Sequence, residues 1–184
     1  MPNATVFPMF GNHECFPCDQ CNVVDNQTQW MTQPLSDAWQ TWLSAEAYAE
    51  FRANGYYAEY NQDKNLKMIA LNTQACDFFN FYLLQDPEDP QEMLKWLEDE
   101  LKDSENNEQG VFIIGHIPSG DSFCDSNWAS RFSALVDRYS ATIRGIFYGH
   151  THKDQIEVYH SYKEKTPIAA SFIAPSITTF SYLQ

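Results

Sequence analysis

Gly149-His150-Thr151-His152 follows the apolar run Ile143-Arg144-Gly145-Ile146-Phe147-Tyr148, and these two adjoining segments decide how the rest of the chain is read. The run predicts a buried strand, and the glycine predicts a sharp turn where that strand stops. Alternate side chains of an extended segment point the same way. His150 and His152 therefore face one site if the backbone stays extended through Thr151. Two imidazoles delivered together suit borderline transition metals such as zinc, manganese or iron. The competing interpretation is a pair of polar residues on a solvated turn.

Two more stretches share the form. Val6-Phe7-Pro8-Met9-Phe10 predicts a short strand that runs into Gly11-Asn12-His13-Glu14, and Val111-Phe112-Ile113-Ile114 runs into Gly115-His116-Ile117-Pro118. Each time an apolar strand ends in glycine and a metal-competent side chain follows within two residues. Four of the five histidines of the chain lie in these three places. Active sites of layered α/β proteins sit where strand ends open into loops.

Composition narrows the class. The chain has 184 residues, 43% hydrophobic and 15% aromatic, enough for one globular domain with a real core. No apolar run is long enough to span a bilayer, and the first residues show neither the charged nor the apolar region of a signal peptide. A net charge of -14 argues against nucleic acid as a partner, because a surface that tracks phosphates is basic. Cys15, Cys18 and Cys21 are clustered, while Cys76 and Cys124 stand apart. The cluster has the spacing of a zinc knuckle but no evident fourth ligand. The sequons Asn3-Ala4-Thr5 and Asn26-Gln27-Thr28 are glycan acceptors in an exported chain. An oxidising compartment accounts for both features, which favours disulfides over zinc.

Along the chain, residues 15–33 predict a long polar loop, and Leu35 to Leu43 a helix with Ala38, Trp39 and Trp42 on its buried face. Ser44 caps a second helix that passes Phe51 and stops near Asn54-Gly55. Strands are expected over Tyr56–Tyr60, Leu66–Asn72, Val111–Ile114, Ile156–Tyr159 and Ile168–Ala174. Asp89 and Pro90 open a helix with Met93, Leu94, Leu97 and Leu101 inward, and with Glu98, Glu100, Asp103 and Glu105 as a solvated face. A further helix spans Asn127–Tyr139 with Trp128, Phe132, Leu135 and Val136 inward. Helices alternating with strands indicate an α/β layered domain.

The series Gly-Asn-His-Glu, Gly-His-Ile-Pro and Gly-His-Thr-His, in this order, resembles the calcineurin-like metallophosphoesterases, and within them the acid sphingomyelinase branch. The likeness extends to Trp39-Gln40-Thr41-Trp42-Leu43, Gly55-Tyr56-Tyr57-Ala58, Leu71-Asn72 and the segment from Phe172 to Thr179. It implies an α/β/β/α sandwich of two facing sheets between helices. It also implies phosphodiester hydrolysis at two divalent metal ions, with Zn2+ the first choice. By resemblance Asn12, His116, His150 and His152 are metal ligands, His13 assists the leaving group, and Glu14 either orients a histidine or lies on the surface. Ser119 stands where the branch has a second proline, and a role as nucleophile is not expected because no base is paired with it. Related acid sphingomyelinases bridge positions equivalent to Cys76 and Cys124. The substrate implied is sphingomyelin, a phospholipid at a membrane surface, cleaved to ceramide and phosphocholine by a secreted or lysosomal protein. A nucleotide-type phosphodiesterase and a non-catalytic remnant of the fold are the alternatives. The family's Asp-x-His and Gly-Asp motifs do not occur in the ten residues before Gly11. Residues 1–184 are therefore expected to be a partial catalytic domain, incomplete at its N-terminus and weakly active or inactive alone.

Overall fold

Buried Val and Ile recur along the central strands between less buried residues, and the computed structural model, which describes residues 5–23 and 27–177, assembles them into one mixed sheet. The elements are α1 (Gln29–Trp39), α2 (Ala45–Asn54), β1 (Tyr57–Asn61), β2 (Leu66–Ala70), α3 (Met93–Asn106), β3 (Gly110–Ile114), α4 (Ser126–Arg138), β4 (Ile143–Tyr148), β5 (Gln155–His160) and β6 (Pro167–Ile173). The strand order is β1-β2-β3-β4-β6-β5. β2, β3, β4 and β6 are mutually parallel, and β1 and β5 close the two edges antiparallel. The architecture is thus the expected α/β sandwich of sheet and flanking helices. The described strands form this single sheet, and no second facing sheet is among the described residues.

One face is deeply packed. Ile69, Val111, Ile113, Ile146 and Tyr148 meet Leu97 and Leu101 of α3 and Trp128, Phe132 and Val136 of α4. On the opposite face α1 and α2 cover only the β1–β2 side, where Phe10, Val23, Phe51, Tyr57 and Ala70 form a smaller cluster. Beyond it Phe112, Phe147 and Phe172 line up across three strands with ring centroids 5.5 and 5.8 Å apart. Phe147 and Phe172 in that row are exposed, as are Ile156 and Val158 on β5.

Several local expectations hold. Ser44 Oγ accepts from Ala47 N at 3.1 Å, and Gly55 takes the left-handed conformation that ends α2. The buried stripe of α3 is as read, but α3 starts at Met93, after a 3-10 turn with positive φ at Gln91 and Glu92. The Asp89 carboxylate reaches past that turn to accept from Leu94 N and Lys95 N.

Other expectations fail for identifiable reasons. Val6–Phe10 forms no strand; Phe10 is buried by α2, and Tyr57 Oη donates to Pro8 O at 2.9 Å. The first helix begins six residues early, at Gln29, and tolerates Pro34 within it. Its buried face is Met31, Thr32, Leu35, Ser36 and, as expected, Trp39, whereas Ala38 is exposed and Trp42 lies exposed beyond the end of the helix. The α3 acidic face is partly paired: buried Lys67 bridges Glu100 and Asp103 at 2.8 and 2.7 Å, and Glu105 pairs with Arg138.

Cys76 and Cys124 are bridged across a sequence separation of 48. Cys15 pairs with Cys21, which removes the thiols a zinc knuckle needs and leaves Cys18 free and exposed. Asn3 and Asn26, the two sequon asparagines, lie outside the described residues.

Candidate metal centre

The parallel strands β2, β3 and β4 all deliver their C-terminal ends to one edge of the sheet, and the candidate site is built there. β2 leads to Thr73, whose Oγ1 accepts from both His116 N (3.1 Å) and Ile117 N (2.9 Å). That hydroxyl fixes the loop after β3. The loop after β4 is tied to it in turn, because Gly149 N donates to His116 O at 3.1 Å.

The turn after β4 differs from the expected one. Gly149 is not in the left-handed region; His150 (φ 68) and His152 (φ 61) are. Histidine tolerates this conformation better than most residues, yet it is a strained one of the kind found at functional sites. Because the backbone curls through these residues, His150 and His152 are not held side by side on one extended face. His150 turns its Nδ1 to within 3.3 Å of His116 Nε2, and the two rings meet edge to face at 5.1 Å. His152 is close enough to lower the pKa of both His116 and His150.

The Gly11 segment completes the cluster. A Cβ on Gly11 would stand 2.8 Å from the His116 ring, so glycine is required here for space. Asn12, only 7% exposed, places Oδ1 2.9 Å from His116 Nε2. Its Nδ2 donates to Asp19 Oδ1 at 2.7 Å. His13 is exposed, with Nδ1 3.3 Å from the Cys18 sulfur. Glu14 supports no histidine; its carboxylate accepts from Gly11 N at 2.6 Å and caps the 3-10 turn it belongs to.

Asn12 Oδ1, His116 Nε2 and His150 Nδ1 therefore converge as three neutral donors. Burial first, and then the neighbouring His150, His13 and His152 rings, together lower the His116 pKa to about 4. Its ring is thus neutral at neutral pH, with one nitrogen carrying the N–H and the other free to accept or to ligate. Among the described residues no group of three or more His, Cys, Asp or Glu side chains is placed to hold a metal ion. The convergence depends on an amide oxygen, and the set carries no anionic ligand.

Sequence reasoning missed Thr73, Asp19, Cys18 and Phe123, whose ring lies 4.9 Å from that of His150. Thr73 follows the quoted Leu71-Asn72, but nothing in the sequence separates it from any other loop threonine. Ser119 is buried with its Oγ 2.6 Å from Tyr159 Oη, a structural pairing away from the histidines.

A match to the Calcineurin-like phosphoesterase family covers residues 1–154. The chain belongs to the calcineurin-like phosphoesterases. Within this phosphoesterase family it is 40% identical to Sphingomyelin phosphodiesterase 2 of Caenorhabditis elegans, over 99% of this chain and 31% of that protein. It is 38% identical to the Sphingomyelin phosphodiesterase of Homo sapiens, over 95% of this chain and 28% of that one. The cyclic GMP-AMP phosphodiesterase SMPDL3A of Homo sapiens is 35% identical over 96% of this chain and 40% of its own length. The chain thus spans between 28% and 40% of the length of these relatives. Among solved structures, a dimetal phosphatase from Danio rerio superposes with a TM-score of 0.52 at 14% identity, covering 77% of this chain and 56% of that one, a likeness of fold.

Proposed function

We propose that the chain supplies the histidine-and-asparagine side of a phosphodiesterase site that holds two divalent metal ions. The observation that carries this is the convergence of Asn12 Oδ1, His116 Nε2 and His150 Nδ1 at the ends of adjacent parallel strands. Imidazole and amide-oxygen donors fit zinc, manganese or iron, and Zn2+ is the first choice. His152 is the fourth ligand proposed, from its place in the Gly149-His150-Thr151-His152 motif that follows β4. Bound divalent ions supply Lewis acidity and a water of lowered pKa. The residues of the chain do the remaining work. Asn12, His116 and His150 set the position of the phosphoryl group. His13, exposed beside them, gives a proton to the departing alkoxide, a role an imidazole fills in many hydrolases.

A phospholipid, sphingomyelin, is the substrate proposed, giving ceramide and phosphocholine. Phe78, Phe79 and Phe123 form a run of ring contacts at 5.7 and 5.5 Å that starts at the surface and ends against His150, an apolar approach for a substrate carrying hydrocarbon. Two disulfides favour an oxidising, secreted or lysosomal setting, in which Asn3 and Asn26 would carry glycans. No helix among the described residues is long and apolar enough to cross a membrane. The donors described are all neutral, and two divalent ions call for anionic ligands, so the 184-residue chain alone should turn over slowly.

The test is phosphocholine release from sphingomyelin and hydrolysis of cyclic GMP-AMP by the protein, each with and without a chelator. Chelator-sensitive cleavage of sphingomyelin, restored by Zn2+, is expected. Cleavage confined to the nucleotide would move the substrate to the nucleotide class, and chelator-resistant cleavage would overturn the metal site.

A further inference from the structure

Asn12 presents two chemically opposite ends on one flat amide. One end is an oxygen that can face a cation, and the other is an NH2 group that cannot. The two ends have nearly the same shape, so packing alone distinguishes them poorly. In this chain the NH2 end donates to Asp19 Oδ1 at 2.7 Å, and the oxygen end lies 2.9 Å from His116 Nε2. A carboxylate oxygen accepts hydrogen bonds and gives none. A flipped amide would set oxygen against oxygen at Asp19 and aim two N–H groups into the histidine cluster.

Asp19 is itself held in place to do this. It is half-buried and left-handed (φ 65), and its own N–H returns to Asn12 O at 3.3 Å. The Cys15–Cys21 disulfide closes the intervening loop, so a residue seven positions away is brought back onto the amide.

We infer that Asp19 is a positioning residue that locks the Asn12 amide with its oxygen turned into the His116/His150 cluster. The inference rests on Asn12 acting as a ligand, the reading given above. Partners of this kind behind a metal ligand typically change metal affinity by about 10–100-fold when removed. The sequence gives no hint of the pairing, because Asp19 sits in a polar loop with no period.

Two measurements on the 184-residue chain test it. The first needs no metal: the side-chain NH2 resonances of Asn12, assigned by their loss in Asn12→Asp, are followed by NMR. One proton should be shifted downfield and protected from exchange in the wild type, and neither should be in Asp19→Ala. The second is Co2+ affinity by calorimetry. Asp19→Ala should weaken it by about 10–100-fold, and Asp19→Asn, whose amide oxygen can still accept, by less. In an Asn12→Asp background both ends of the side chain are acceptors, so Asp19→Ala should cost nothing there. Equal Co2+ affinity in wild type and Asp19→Ala overturns the inference. So does a loss of the same size in the Asn12→Asp background, which would mean that Asp19 shapes the loop as a whole. If Asp19→Ala does not fold, Asp19→Asn carries the same comparison. A wild-type chain with no Co2+ affinity defeats Asn12 as a ligand, and the amide resonances then decide the positioning role by themselves.

Discussion

His116 and His150 each stand two residues beyond a central strand whose neighbours hold it on both sides, while Asn12 and His13 stand on a segment that pairs with no strand among the described residues. The first half inherits its geometry from the sheet: β3 and β4 pair in parallel, with one register shift between Val111 and Phe112, and the Thr73 hydroxyl and the Gly149–His116 hydrogen bond tie their two loops together. The second half is held by side chains. Asp19 holds Asn12, Cys18 touches His13, Glu14 caps Gly11, and the Cys15–Cys21 bridge closes the loop around them. The difference teaches that one site can be rigid on one side through backbone pairing and on the other only through local polar contacts. The two sides should therefore fail differently.

The largest expected effect falls on stability and not on the site. Replacing Cys76 and Cys124 by alanine releases a loop of 48 residues, worth about 4 kcal/mol on the chain-entropy model. Denaturant unfolding should show that loss, with Co2+ affinity of the folded chain little changed. Replacing Cys15 and Cys21 releases a separation of only 6 residues, about 2 kcal/mol. Here the ranking should invert, with Co2+ affinity falling more than in the Cys76/Cys124 variant. Equal effects of the two variants on affinity would show that the loop-borne half does not depend on its staple.

Thr73→Val keeps the shape of the side chain and removes the acceptor shared by His116 N and Ile117 N. A loss of about 1–2 kcal/mol in unfolding free energy is expected, together with broadened amide resonances for His116 and Ile117. Sharp, unshifted resonances would mean that the sheet alone fixes this loop.

The smallest effect at neutral pH is electrostatic. Burial holds the His116 imidazole at about 4, below its ordinary 6.5, so between these values the unfolded chain binds more protons than the folded one. Stability of the metal-free chain from this group is full above about 6.5 and falls as the pH drops toward 4. His150, lowered by burial, acts in the same direction. Asp77 acts the other way. Burial pushes its carboxyl from 3.8 up to about 6, so its contribution is full at low pH and is lost as the pH rises through that window. Melting temperatures from pH 4 to 7 should rise more steeply with pH in Asp77→Asn than in the wild type, and less steeply in His116→Gln. The reverse ordering would place the buried charges wrongly.

The sequence by itself determined the class of the domain and pointed to the three segments that the fold brings together at the candidate site. Apolar runs ending in Gly115-His116 and Gly149-His150 are local patterns, and β3, β4 and the packed faces of α3 and α4 follow from them because burial on one face leaves a period in the sequence. The helix stop at Gly55 and the cap at Ser44 were legible for the same reason, each being set by the chemistry of one residue. Tertiary structure decided what depends on partners distant in the chain. Val6–Phe10 looks like a strand but finds no neighbour to pair with among the described residues, and the phase of α1 is set by packing of Trp39 on Phe51, with Trp42 left outside the helix. The left-handed turn at His150 and His152 replaces the extended pair because Gly149 is bonded to the His116 loop. Asp19 on Asn12, and Thr73 under His116, are contacts across 7 and 43 residues made by polar side chains in loops. A single hydrogen bond of that kind leaves no period in a sequence, so only the folded chain reveals it.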